Sequence, residues 1–229
     1  MRTTQASTPF IFIAALVSLI DIVLGRTDII ARQSGLPPVP SLTPVGPYVF
    51  TDGIPGCTNG PDTSFSFTWT LNTSMNAPIC GVGWKTGTNR TISFQGYYSA
   101  SGYGLFQVYG WTREPMVEYI VAETWGYLNP AAGDTFKGTV TCGDSLYDIY
   151  QGLRFNRPGI DGDIPSQPYT GIWSVRRKKR YGAFTGTVDM DCHFKAWNSF
   201  GLELGTHDYQ LVSALAYYSS GNVTAEIVP

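Results

Sequence analysis

Hydrophobic and polar residues alternate with a period of two along most of the chain from Tyr48 onward. Five segments show the alternation most clearly: TISFQGYYSA, GLFQVYGWT, MVEYIVAETW, IWSVRRKKRY and YQLVSALAYYSS. β-Branched and aromatic residues dominate these segments, and Gly, Pro, Asn or Asp separate them, which is typical of strands and turns. Many strands at short spacing predict an all-β fold in which two antiparallel sheets pack face to face, or a barrel.

One segment, DCHFKAWNSFG, breaks this alternation. Phe194, Trp197 and Gly201 follow one another three and four residues apart, which is the spacing of a helix face. Asp191 is the expected N-cap and Gly201 the expected stop. The sequence therefore predicts a single short helix that packs Phe194 and Trp197 onto a sheet.

The N-terminal region has the order of a secretory signal, because Arg2 precedes an apolar run over residues 9–24. A membrane anchor is the alternative, but the run is shorter than the roughly 20 residues that span a bilayer and contains an aspartate. We predict a signal peptide over 1–25, a Pro- and Ser-rich leader or propeptide over 26–44, and one folded domain over 45–229. The protein is then expected to be secreted and extracellular, with no membrane association.

The chain contains four cysteines: Cys57, Cys80, Cys142 and Cys192. Export to an oxidising compartment predicts that they form two disulfides, although spacing alone leaves all three pairings open. A metal site is the alternative. It is disfavoured because no CxxC pair occurs and the histidines number only two, His193 and His207.

Three N-x-S/T sequons begin at Asn72, Asn89 and Asn222. In a secreted protein they predict glycosylation on the surface.

Composition narrows the class of protein without identifying a partner. Of the 229 residues 43% are hydrophobic and 14% are aromatic, and the aromatic content argues against disorder. With 26 Gly, 15 Pro and only 14% charged residues, a coiled coil or a helical bundle is also excluded. A formal net charge of -2 gives no field that would attract nucleic acid. The basic run 176–180 is interpreted as a solvated strand, since alternation sends its side chains to both faces. Fourteen tyrosines suit a carbohydrate site, but composition alone leaves ordinary half-buried strand residues equally favoured.

Six motifs, read in order, resemble the family 11 glycoside hydrolases, the endo-1,4-β-xylanases: YGWTREPMVEY, GTVTCGDSLYDIY, RFNRPGIDG, WSVRR, HFKAW and LGTHDYQLVSALAYYSSG. The resemblance covers residues 45–229 and implies a β-jelly roll of two strongly twisted antiparallel sheets with one short helix. It further implies a monomer without cofactor or metal that binds xylan or xylo-oligosaccharide on a concave sheet beneath a hairpin called the thumb.

Retaining enzymes of this kind use two carboxyl groups, a nucleophile and an acid/base. The family's P-x-x-E-Y motif matches residues 115–119, which makes Glu118 the implied nucleophile. The alternative is a structural Glu118 that is paired with an arginine and inert. In the run DYQLVSALAYYSSG, which aligns without a gap, Leu215 stands at the acid/base position. Of the neighbouring carboxylates, Glu203 lies outside this strand and Asp208 lies on its opposite face. The sequence therefore offers no substitute acid.

The resemblance also assigns the remaining cleft residues. Phe50 replaces a tryptophan that stacks on xylose, and Ile120 replaces a tyrosine. The thumb run DGDIPSQPYTGI is longer than in the family, which leaves the match of Gln167 uncertain. The cleft residues that match the family are Tyr109, Trp111, Arg154, Pro158 at the thumb tip, and Tyr209.

Some family members carry a disulfide between the cord strand and the helix, and the resemblance places Cys142 and Cys192 there. Cys57 and Cys80 remain for the second bridge.

Three functions are open on this sequence. The first is a xylanase of weak activity, because general acid catalysis contributes roughly 10² to 10⁴-fold. The second is a module that binds xylan without turning it over. The third is an elicitor or decoy that plant receptors or xylanase-inhibitor proteins perceive. We expect a secreted xylanase-like protein directed at xylan, with impaired hydrolysis.

Overall fold

The structure, a computed structural model, describes residues 42–45, 48–51, 53–61, 63–70, 78–162 and 167–229. The signal peptide predicted over 1–25, most of the leader predicted over 26–44, and the sequon at Asn72 lie outside these residues. The boundary predicted between leader and domain falls within the first strand, because residues 42–45 pair with residues 48–51.

Fourteen strands and one helix occupy the described residues. The strands are β1 (Leu42–Val45), β2 (Tyr48–Thr51), β3 (Cys57–Asn59), β4 (Ser64–Trp69), β5 (Ile79–Trp84), β6 (Thr91–Gly102), β7 (Leu105–Arg113), β8 (Val117–Trp125), β9 (Thr135–Cys142), β10 (Ser145–Arg154), β11 (Tyr169–Arg176), β12 (Gly182–Asp189), β13 (Thr206–Leu215) and β14 (Ser219–Val228). The helix α1 spans Met190–Ser199.

The strands form two sheets. The large sheet has the order β1-β2-β5-β13-β7-β8-β11-β10-β9, and the small sheet has the order β12-β6-β14-β4-β3. All pairs are antiparallel except β8 with β11, which is parallel. The predicted all-β sandwich with one short helix is confirmed.

Alternate side chains of both sheets point into a shared core. Phe94 of the small sheet lies with its ring centroid 5.4 Å from Phe106 of the large sheet and 5.8 Å from Phe184. Phe67 and Val108 are fully buried in the same cluster. Burial of each such side chain stabilises the fold by about 1.5–3 kcal/mol, so the period-two pattern fixes which face of each strand is internal.

The helix begins two residues earlier than the sequence suggested. Asp189, not Asp191, is the N-cap, and its carboxylate accepts hydrogen bonds from the backbone N–H groups of residues 191 and 192. Both aspartates precede the helical pattern, and only the extended backbone at Asp189 lets its oxygen reach these donors. Gly201 has φ +72° and ends the helix as predicted. Trp197 is fully buried and donates to Ser174 Oγ (2.9 Å).

Both disulfides implied by the resemblance are present. Cys57–Cys80 joins β3 of the small sheet to β5 of the large sheet, and Cys142–Cys192 joins β9 to α1.

The basic run 176–180 is not the solvated strand that we predicted. Strand β11 ends at Arg176, which is 4% exposed and contacts Glu123 (3.4 Å). Arg180 also contacts Glu123, at 2.7 Å. Two arginines therefore turn inward because a fully buried carboxylate lies on β8.

Within the described ranges, no helix is both long and apolar enough to cross a membrane. The same residues contain no group of three or more His, Cys, Asp or Glu side chains suited to a metal ion.

Candidate active site

The face of the large sheet that points away from the small sheet carries a second buried cluster, here called the cleft face. On β7 it includes Leu105, Tyr109 and Trp111, whereas Phe106 and Val108 belong to the core. Ile120 of β8 and Leu211 of β13 are the register partners of Tyr109 and continue the cluster across the sheet. The predicted site residues that lie in it are Tyr109, Trp111, Ile120, Tyr209 and Leu215. Five residues from three separate strands are thus brought onto one surface.

Glu118 lies on β8 two residues before Ile120 and is fully buried. Its Oε1 accepts a hydrogen bond from the Tyr109 hydroxyl (3.1 Å), and this hydroxyl accepts one from Trp111 Nε1 (2.7 Å). Glu118 Oε2 has no hydrogen-bond partner among the described residues. Burial raises the pKa of Glu118 to about 7, against the smaller lowering effects of Arg154 and the Tyr109 hydrogen bond. One oxygen of this carboxyl group is therefore not engaged in a hydrogen bond with the described residues.

Arg154, at the end of β10, is held by a carboxylate that the sequence analysis did not single out. Its two terminal nitrogens donate to both oxygens of Asp134, at 2.9 and 2.7 Å, and both side chains are almost fully buried. The positive charge of Arg154 lowers the pKa of Glu118, and the negative charge of Asp134 raises it. Among the described residues Arg154 pairs with Asp134 and not with Glu118, which argues against the alternative of an inert, ion-paired Glu118.

The guanidinium of Arg154 occupies space beside Gly171, the register partner of Glu118. A Cβ built at Gly171 would lie 2.9 Å from Arg154 Nη2. The positive charge can approach the nucleophile candidate because Gly171 has no side chain.

Leu215, the last residue of β13, lies in apolar surroundings and is 4% exposed. Its register partners are Ile79 on one side and Leu105 on the other. Of the two neighbouring carboxylates, Asp208 accepts from Arg113 Nε (2.7 Å), and Glu203 lies exposed before the strand. Neither register partner of Leu215 can donate a proton.

Phe50 does not lie where we predicted. It is 1% exposed and belongs to the core between the sheets, while its neighbour Val49 belongs to the cleft-face cluster. The cause is the register of β2, in which Phe50 opposes Val82, another core residue. Phe50 therefore cannot stack on a ligand in this position, since neighbouring residues of a strand point to opposite faces.

Pro158 lies in the loop that joins β10 to β11, here called the thumb loop, of which residues 155–162 and 167–168 are described. Its carbonyl accepts a hydrogen bond from the Tyr169 hydroxyl (3.1 Å), and the Tyr169 ring lies 4.9 Å from Trp111. Ile160 of the loop belongs to the cleft-face cluster. Gln167 is exposed.

Arg113 links this loop to the sheet. It donates to both oxygens of Asp161 in the thumb loop (3.0 and 2.8 Å) and to Asp208 of β13. The Arg113 and Asp161 side chains are 45% and 61% exposed, so water screens this ion pair.

Two of the three sequons lie on described residues, and both asparagines are exposed. Asn89 donates to Asp191 Oδ1 (3.3 Å), and Asn222 lies on β14. Their glycosylation stays a prediction.

The structure has two packed sheets, and one face holds a buried carboxylate among tyrosine and tryptophan rings. These features are typical of a carbohydrate-active β-sandwich protein. Comparisons with known proteins identify the family within this class. The model of the family described as Glycosyl hydrolases family 11 matches residues 48–226, and the chain belongs to this family.

Several curated relatives are xylanases. Ethylene-inducing xylanase 1 of Verticillium dahliae is 41% identical over 170 residues, which are 74% of this chain and 73% of that protein. Endo-1,4-beta-xylanase 4 of Pyricularia oryzae is 42% identical over 170 residues, covering 74% and 70%. A solved structure from a comparison of two major endo-1,4-beta-xylanases of Trichoderma reesei matches with a TM-score of 0.68 and 34% identity. It covers 82% of this chain and 100% of that one.

Proposed function

We propose that this is a secreted protein that binds β-1,4-xylan on the cleft face and hydrolyses it poorly. The observation that carries the proposal is Leu215, which is 4% exposed between Ile79 and Leu105 at the position where the family resemblance implies the acid/base carboxyl. The xylanase relatives support xylan as the ligand. The apolar segment near the N-terminus and the two disulfides support export.

The expected loss of activity follows from the missing proton transfer. General acid catalysis contributes roughly 10² to 10⁴-fold, or about 3–5 kcal/mol of the activation free energy. Without it the departing xylosyl oxygen leaves as an alkoxide, which is a poor leaving group at neutral pH. Turnover of unactivated xylan is therefore slow even where Glu118 is well placed.

Glu118 retains a role with activated substrates. A xylosyl donor with a good leaving group needs no proton donor, so Glu118 Oε2 can attack its anomeric carbon as the leaving group departs with the bonding electron pair. The covalent intermediate then persists, because no base at position 215 activates water. Since the pKa of Glu118 is raised to about 7, the attacking carboxylate form predominates only above that pH.

Ligand access requires a change at the cleft face. Glu118 and Tyr109 are 0% exposed, and Ile160 of the thumb loop packs into the same cluster. A xylan chain reaches Glu118 only when these side chains separate. Loop displacement is thus part of the proposed binding step.

The experiment compares the wild type with Leu215→Glu and with a matched control, Leu215→Gln. We expect little reducing-sugar release from the wild type and at least about tenfold more from Leu215→Glu, since only the carboxyl supplies a proton. Leu215→Gln introduces a polar side chain of similar size and should stay inactive. Thermal melts of all three verify folding. Fast hydrolysis by the wild type, or equal gains in both variants, would contradict the proposal.

The names of two relatives favour a second candidate function. Ethylene-inducing xylanases of Verticillium dahliae and Penicillium digitatum are 41% and 44% identical to this chain. We propose that plant tissue perceives the surface of this protein as well, independently of catalysis. Infiltration of wild type and Glu118→Ala into leaves should induce equal ethylene release. A response that is lost with Glu118→Ala would show that reaction products, not the surface, are perceived.

A further inference from the structure

A buried amide lies on the cleft face next to the apolar surroundings of Leu215. Gln107 is 0% exposed and stands on β7 between Leu105 and Tyr109, which both belong to the cleft-face cluster. Its register partners are Ser213 on β13 and Ala122 on β8. The sequence analysis did not identify Gln107, because this residue precedes the motif that begins at Tyr109 and lies within an ordinary strand pattern.

The hydrogen bonds of Gln107 are incomplete. Nε2 donates to Ser213 Oγ at 3.4 Å, which is long for this type of bond. Oε1 has no hydrogen-bond partner among the described residues. Rotating the amide would exchange its two ends and leave the nitrogen without an acceptor instead. A buried polar atom in this state costs folding free energy, and a ligand that completes its hydrogen bonds is one way to account for it.

Two of the other unpaired polar atoms on the same face are an acceptor and a donor. They are Oε2 of Glu118, an acceptor, and Nε1 of Trp173, a donor, and Trp173 is the register partner of Ile120. Acceptors and a donor that share one surface with aromatic rings fit a ligand with many hydroxyl groups and apolar C–H faces.

We infer that Gln107 and Ser213 form a hydrogen-bonding subsite for a hydroxyl group of a bound xylo-oligosaccharide. This inference rests on the proposed function and adds a specificity-determining residue to it. The hydroxyl donates to Gln107 Oε1 and accepts from the Gln107 amide or the Ser213 hydroxyl. Gln107 lies about 7 Å along β7 from Tyr109, because residues i and i+2 of a strand are separated by twice the rise per residue.

The subsite has an apolar boundary on one side. Leu105 and Leu215 form the next pair along β7 and β13. A ring seated there meets methyl groups with its C–H face and the Gln107–Ser213 pair with its hydroxyl edge. This arrangement favours holding a sugar over protonating its glycosidic oxygen, and so it suits the proposed binding function.

The test measures xylohexaose binding by calorimetry for the wild type and Gln107→Leu. Gln107→Leu keeps approximate size and removes every hydrogen bond of the amide. We expect its affinity to fall about tenfold, which corresponds to about 1.4 kcal/mol. We also expect its thermal midpoint to stay equal or rise, because the unpaired amide is gone from the buried face. Ser213→Ala should lower the affinity by a smaller factor.

Gln95→Leu is the matched control, because Gln95 is exposed on the small sheet and contacts Glu226. It should bind as the wild type does. Equal affinity of wild type and Gln107→Leu would overturn the subsite while leaving xylan binding intact. A lower thermal midpoint of Gln107→Leu with unchanged affinity would assign the amide a structural role and also overturn the inference. Absence of binding by the wild type would overturn the proposed function, and the subsite with it.

Discussion

The Tyr109 hydroxyl donates to Oε1 of Glu118 at 3.1 Å, and through this bond β7 orients the carboxylate of β8. Trp111 donates in turn to the same hydroxyl. The tyrosine lowers the pKa of Glu118, but burial outweighs it and raises that pKa to about 7.

This shift predicts a pH-dependent stability that Glu118→Gln removes. The folded-state pKa of about 7 exceeds the ordinary value of 4.5. Between pH 4.5 and pH 7 the folded protein therefore keeps a proton on Glu118 that the unfolded chain has lost. The stabilisation is complete below pH 4.5 and is lost as the pH rises through 7. The free energy of unfolding of the wild type should therefore fall, relative to Glu118→Gln, by up to about 3 kcal/mol. Urea denaturation across this range measures the difference, and parallel curves would contradict it.

Asp134→Asn should destabilise the protein strongly. It leaves the buried Arg154 guanidinium without its charge partner, and breaking a buried pair in this way costs about 3–5 kcal/mol. Because the Asp134 charge raises the pKa of Glu118, the variant should also show a lower pKa for that carboxyl. Chemical denaturation and a pH titration of Glu118 by NMR provide the two measurements. Asp191→Asn, at an exposed pair with Lys195, is the control and should change neither quantity by much.

The two disulfides should contribute unequally. In the loop-entropy description, a bridge that closes 50 residues stabilises by about 4 kcal/mol and one that closes 23 residues by about 3 kcal/mol. Replacement of Cys142 and Cys192 by serine should thus cost somewhat more than replacement of Cys57 and Cys80. Urea midpoints of the two double variants test the order, and the reverse order would show that strain or residual structure dominates.

Asp161→Asn should speed ligand entry with little effect on stability. The variant weakens the exposed pair with Arg113 that holds the thumb loop to the sheet, and such pairs contribute about 0.5–1 kcal/mol. If the loop must move, the association rate for xylohexaose should rise about two- to fivefold. Stopped-flow fluorescence measures it. Lys195→Gln removes an exposed ion pair on α1 and should leave the rate unchanged. Equal rates in all three proteins would show that the loop does not limit entry.

The strands and the helix could be predicted because period-two alternation and the 3–4 spacing of Phe194 and Trp197 are local signals. The disulfide pairing came from the family resemblance, since spacing alone allows three pairings. The N-cap was misplaced by two residues because both Asp189 and Asp191 precede the helical pattern. Local sequence does not show which carboxylate reaches the free N–H groups.

Other parts of the site depend on contacts between distant strands. Phe50 was assigned to the wrong face because β2 is four residues long and its register against Val82 decides the side. The partnership of Asp134 with Arg154 joins residues 20 positions apart, at the two ends of the β9–β10 hairpin. Gln107 lies outside all six motifs that support the family resemblance. Its significance appears only when its neighbours across three strands are known.

The inward turn of Arg176 and Arg180 lowers the positive charge that the densest basic stretch of the sequence presents to solvent. Arg177 contacts Asp148, and Lys179 lies 4.4 Å from the Trp125 ring while donating to a backbone carbonyl. The three arginines of the densest basic stretch are thus paired with carboxylates of their own chain, whereas Lys178 and Lys179 form no ion pair with a described residue. An acidic polymer would have to displace these contacts before it could bind the three arginines. Binding of such a polymer should accordingly be weaker than five adjacent basic residues suggest.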